Sequence, residues 1–256
     1  FATASSAMQL TFAIRLLDKL SRTSHDPQLQ LQLAYSIERQ LPNNEKVLRI
    51  HSYNLWRLTN HGCGADVVGM AASAFARSLA VQEHLGLAFA IMALNRLSLD
   101  GHINHTTTFE ALQPCFTIKS CNEVQIALAE FCANTASAIS EELSDLEGEH
   151  DRPDVQKRIA SLEEINNVLI DSVWSILAKP DLESDATAAW LRCLKEIAIL
   201  PTTLVWNPEE ETRAVFSTNR MIGLRQALES AAPNIRRSAI DFASAVCNRD
   251  PTTSSY

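Results

Sequence analysis

Glycine is scarce in this chain, seven in 256 residues, and the β-branched runs that build strands are missing. No Gly-rich phosphate loop is present. No apolar run reaches the roughly 18 to 20 residues that cross a bilayer. The most apolar window is interrupted by Arg77 and Glu83. A formal net charge of −8 leaves no global basic footprint for nucleic acid or an anionic membrane. The opening FATASSAMQL lacks the basic and long apolar regions of a signal peptide, and a chain that starts at Phe1 reads as a piece of a longer one. Six cysteines, at 63, 115, 121, 132, 193 and 247, are scattered through helical patterns. They read as reduced, buried thiols of a cytoplasmic or nuclear protein.

What is present is ordinary for a soluble globular domain with a substantial core: 46% apolar and 20% charged residues. The stretch from Ala65 to Leu99 carries formal charge only at Asp66, Arg77, Glu83 and Arg96, so other parts of the chain must cover it. Its alanines let helices approach closely, and Phe75, Phe89, Ile91 and Met92 fill gaps between them. Ala88, Phe89 and Met92 are predicted to be nearly fully buried.

Caps, prolines and glycines punctuate the chain into eleven or twelve helices with short loops and no convincing strand. Residues 3–21 have helical apolar spacing. Asp26-Pro27 opens a helix through Leu41, and Asn44 can cap one ending near Gly62. The central stretch splits between Leu79 and Glu83 and ends at Gly101. A Thr107-to-Glu110 capping box starts a short helix halted near Pro114. A Ser120–Glu123 box opens a long helix ending at Gly148. Asp151 and Pro153 open the next, which Pro180 stops. Asp185 begins a helix through Leu200, Asn207-Pro208 caps one beginning Glu209, Glu210, Glu211, and Pro233 starts the last, to about Asn248. Residues 1–250 then form one all-α domain, and 251–256 a frayed tail.

One pattern recurs: an aliphatic residue, then Arg or Gln, with small or apolar residues four and seven or eight positions on. It appears at Leu48-Arg49, Val81-Gln82, Val124-Gln125 and most clearly at Ile235-Arg236, in PNIRRSAIDFASAV from Pro233 to Val246. Here the chain resembles the HEAT/armadillo-type repeat proteins, whose second helix often carries Val-Arg-x-x-Ala. The resemblance implies antiparallel helix pairs stacked as an α-solenoid, with Arg49, Gln82, Gln125 and Arg236 along one side and Arg236 at least half buried and paired. A compact helical bundle is the structural alternative.

Candidate chemistry is thin. His102, His105, Cys115 and Cys121 lack the tight ligand pairs that zinc favours. His61-Gly62-Cys63-Gly64 could pair a thiol with an imidazole, but reads as a helix end turning on glycine. Ser24-His25-Asp26 holds triad residue types that cannot converge when adjacent in sequence. Asn104-His105-Thr106 fits the glycosylation pattern, which is idle without a secretory route. The acidic run Glu141, Glu142, Asp145, Glu147, Glu149, Asp151 closes one helix against its dipole, so either a solvated loop or a partner accounts for it. Arg213, Arg220, Arg225, Arg236 and Arg237 bias the last third towards acidic partners or RNA phosphates, with intrachain pairing to Glu209–Glu211 and Glu229 as the ordinary account.

The expected function is a non-catalytic scaffold or adaptor that binds another protein, without cofactor, metal or membrane. Its partner-binding residues would be Arg49, Gln82, Gln125, Glu141, Glu142, Asp145, Arg213, Arg220 and Arg225. The alternatives are a helical subunit that positions RNA for a partner enzyme and a small-molecule-binding helical bundle.

Overall fold

The computed structural model describes residues 12, 14–17, 19, 26–39, 45–117, 121–146, 152–201, 215–216 and 220–249. Residues 12, 14–17 and 19 are helical. Among the described residues eleven further helices follow: α1 Pro27–Glu38, α2 Glu45–Asn60, α3 Gly64–Val81, α4 His84–Leu99, α5 His105–Leu112, α6 Pro114–Thr117, α7 Asn122–Leu146, α8 Pro153–Leu177, α9 Ser184–Ile199, α10 Arg220–Leu228 and α11 Pro233–Arg249. The fold is all-α, and no strand occurs among the described residues.

Local chemistry sets most of the boundaries. Asp26 Oδ1 accepts from the backbone N–H groups of Gln28 and Leu29, both at 3.1 Å, with Pro27 in the first turn of α1. Pro153 and Pro233 open α8 and α11. The short helix α5 begins earlier than its expected box. Asn104 Oδ1 accepts from Thr106 N at 2.9 Å and Thr107 N at 3.1 Å, so Asn104 is the cap and Thr107 lies inside the helix. The expectations at Leu41, Asn44, Ser120, Gly148, Asp151, Asn207-Pro208, Glu209–Glu211 and 251–256, and most of 3–21, lie outside the described residues.

The break expected between Leu79 and Glu83 falls at Gln82, whose φ of +56° is left-handed, and Glu83 caps the next helix. Such a backbone turn costs a non-glycine residue conformational energy, so neighbouring bonds must hold it. The Gln82 and Glu83 amides bond back to Leu79 O and Ser78 O.

Contacts group the chain into two compact units, Phe1–Thr108 with Lys119–Ala127 and Phe109–Ile118 with Leu128–Tyr256, where the sequence reading treats 1–250 as one domain. In the first unit α2 packs on both α3 and α4, α3 packs on α4, and α1 packs on α2. Gly86 permits a close approach of α4 to α2 and α3. A Cβ there would lie 3.0 Å from Ser78 Oγ and 3.3 Å from the Arg49 backbone nitrogen. Ala71 and Ala74 on α3 and Ala88, Ala90 and Ala93 on α4 are all buried, which draws the helices together. Leu17, Ile37, Val47 and Leu48 form a separate buried cluster where α1 meets α2.

Phe89 and Met92 depart from expectation: both are only partly buried, while Ala88 is fully inside. The stretch is apolar nearly all round, and its neighbours cover only part of that circumference.

In the second unit α9 packs on α8 and α11, and α11 packs on α10. Trp190 is fully buried and meets Phe116 edge-on at 6.3 Å. Phe242 is also fully buried, between Trp174 at 6.1 Å and Phe216 at 6.0 Å. A solenoid cut at its ends would leave the apolar positions of α11 bare. Instead Ala239, Phe242 and Val246 are covered, and Ile240 is 55% exposed.

Candidate interaction surface

In the first unit one face joins partly exposed aromatic rings to a buried ion pair. Tyr53 and Trp56 lie one turn apart on α2, so their side chains share a face. Phe89 of α4 packs against both, 5.0 Å from Tyr53 edge-on and 5.8 Å from Trp56 stacked. Tyr53 and Trp56 are themselves 5.8 Å apart. All three rings keep part of their surface open, as does Met92, one turn beyond Phe89. Aromatic rings are large and rigid, so a half-open group of them offers contact area at low entropic cost.

At the amino end of the same two helices, Arg49 Nε and Nη2 donate to Glu83 Oε1 at 3.0 and 2.6 Å. Glu83 Oε2 accepts from the Gly86 amide. The Glu83 side chain is 3% exposed and that of Arg49 47%. A carboxylate buried at a helix N-terminus is held by the cation, the capping N–H and the helix dipole together. Arg49 is therefore committed to the α3–α4 turn with one side to solvent. Neighbouring Gln82 is exposed.

Four of the other expected partner-binding residues are buried or bonded within the protein: Gln125, Glu142, Arg220 and Arg225. Gln125 is 4% exposed on α7, so it lies in the interior and is not a contact residue, which corrects the expectation. An amphipathic pattern marks the buried stripe of a helix without saying which polar position that stripe will swallow. Glu141 and Asp145 are exposed. Glu142 receives Arg158 in a two-point bridge at 2.6 and 2.9 Å, tying α7 to α8. Arg213 lies outside the described residues.

Four arginines of the last third bond within the protein, while Arg237 is exposed. Arg220 donates to Asp171 at 2.6 Å and stands 5.7 Å from the Trp174 ring centre, its side chain only 11% exposed. Arg225 pairs with Glu229 at 3.0 Å, the intrachain partner the sequence offered. Arg249 donates to the carbonyls of Ile199, Leu200 and Pro201. Arg236 is partly buried and paired, as the resemblance implies. Its partners are the Ser230 and Ala231 carbonyls of the loop just before its own helix, not groups of a neighbouring repeat.

Burial pushes the Cys63 thiol up, with the Asp66 charge adding to the effect, which opposes the thiolate a nucleophile needs. Burial alone lifts Cys115 to about 12. Among the described residues no group of three or more His, Cys, Asp or Glu side chains could hold a metal ion. His102 instead lies against Gly64, where a Cβ would come within 2.5 Å of its ring.

No protein-family model, curated protein or solved structure matches this chain. The likeness to HEAT/armadillo repeats thus rests on its own residues.

The sequence places Phe89 in the core and singles out no role for Tyr53. The Tyr53–Trp56 spacing of one helical turn was a usable signal. That α4 would bring Phe89 to the same place was not, because it depends on how two helices pair.

Proposed function

We propose that the chain is a non-catalytic helical-repeat scaffold or adaptor segment of the cytoplasm or nucleus, binding another protein through the α2–α4 face. The observation that carries this reading is the half-open Tyr53–Trp56–Phe89 group. Interface hot spots are enriched in Trp and Tyr with a polar rim around them. Arg49, Gln82 and exposed Asn60 and His61 on the same helices and their turns supply polar groups of that kind. The packing of α2 on α3 and on α4 suits layered antiparallel pairs, as a HEAT/armadillo-like solenoid requires. The described cysteines are all free, which suits a reducing compartment. Among the described residues no helix is long and apolar enough to cross a membrane. The RNA reading has little behind it, since Arg220, Arg225, Arg236 and Arg249 are engaged within the protein.

Truncating a hot-spot aromatic removes about 2 kcal/mol or more of binding free energy, over tenfold in affinity. Quantitative affinity capture with the wild-type chain and with Trp56→Ala should show proteins depleted at least tenfold by the change. Circular dichroism must show the variant folded. Identical capture profiles for the two folded proteins would remove the aromatic face from the reading.

A further inference from the structure

The second unit contains a cleft of about 650 Å³, a size typical of pockets that enclose a small organic ligand. Its walls come from the end of α8, the Lys179-Pro180 turn, α9, α10 and the start of α11. Trp174, Leu177, Leu191, Ile222 and Ile235 make them largely apolar. Among the described residues, the charged groups lining it are Lys179 and Arg220, both cations, with no Asp or Glu in the lining.

These two cations differ in what they leave over. Arg220 is bonded to the Asp171 carboxylate, so much of its charge is answered. Lys179 Nζ donates to the neutral carbonyl of Phe116 at 2.7 Å, which orients the ammonium without cancelling its charge. An ammonium has three donors, and a neutral carbonyl occupies one. A positive group held at the edge of a low-dielectric wall attracts an anion more strongly than it would in water. The Ser230 hydroxyl and the Gln226 amide can donate at the lining, whereas the Thr187 hydroxyl already donates to Glu183 O at 2.9 Å.

We propose that this cleft binds an amphipathic small-molecule anion, its apolar body against Trp174, Leu191 and Ile235 and its carboxylate at Lys179. This site is independent of the α2–α4 face and stands or falls without it.

The test uses the full chain and dodecanoate below its micelle concentration, followed by isothermal titration calorimetry. One-to-one saturable binding is expected. Dodecyltrimethylammonium, with the same tail and opposite charge, and butyrate, with the charge but little tail, should each bind at least tenfold more weakly. Lys179→Met should weaken dodecanoate at least tenfold, and Lys179→Arg should restore most of the loss. Gly223→Leu provides a variant that does not touch the charge. A Cβ at Gly223 points at Trp174 from 3.6 Å, so the leucine would occupy the cleft without a backbone clash and should abolish binding in a folded protein. The proposal is overturned by absent or unsaturable dodecanoate binding, by equal binding of the cationic analogue, or by unchanged affinity in folded Lys179→Met or Gly223→Leu.

Discussion

Removing either partner of the Arg49–Glu83 bridge breaks the same contact, yet the two losses should differ several-fold. The Glu83 side chain is 3% exposed and that of Arg49 47%. Arg49→Met leaves a buried carboxylate with only the Gly86 amide and the helix dipole to hold it. Breaking a buried pair in this way costs about 3–5 kcal/mol. The half-exposed arginine shows that water comes close, which argues for the lower end, roughly 3 kcal/mol. Glu83→Gln leaves a guanidinium that can turn into solvent, and the amide oxygen can still accept from Gly86. Its cost should be that of a weakened cap, about 1 kcal/mol. Urea unfolding followed by circular dichroism would measure both, and the double variant should be more stable than Arg49→Met alone, because no unpaired charge remains. Equal losses, or a larger one for Glu83→Gln, would refute the claim that the buried carboxylate dominates this junction.

The core can be ranked by the same kind of measurement. Trp190→Ala should cost about 3–5 kcal/mol, since Trp190 is fully buried, whereas Phe89→Ala should cost about 1–2 kcal/mol because its ring is partly open. Acid titration should reveal Glu38. Burial raises its carboxyl, but hydrogen bonds from His51 and Ser73 and the charges of His51 and Arg77 outweigh that and leave it below the ordinary value. A lowered folded-state value means stability present above the unfolded carboxyl range, about 4.3, and lost as pH falls through the folded value. The stability gap between wild type and Glu38→Gln should therefore be full at neutral pH and shrink below about pH 4. Alkylation at pH 8 read by mass spectrometry should spare Cys115, Cys132 and Cys193 in the native protein, because burial holds their thiols protonated and out of reach. Partly exposed Cys121 and Cys247 should react first.

Much of the helical layout follows from short stretches of sequence. Asp26-Pro27, Pro153 and Pro233 mark helix starts because a cap or a preset φ acts within one turn of the residue that supplies it. The break near Gln82 was readable for the same reason. Where neighbouring residues compete for one role, local reading slips by a turn, as with Asn104 and Thr107. The chain's all-α class follows from these signals and from its lack of strand-forming runs.

Other features arise only when distant segments meet. Residues 49 and 83 form the buried ion pair, 53, 56 and 89 the aromatic group, and 174, 179 and 220 the cation-lined wall. A 3.6-residue period shows which stripe of a helix is apolar, but a neighbouring helix decides how much of the stripe is covered. Hence Phe89 could be named as apolar yet lies half open, while Gln125 could be named as polar yet lies inside. Coverage depends on contacts between helices far apart in the chain, and no single helix encodes its own share of them.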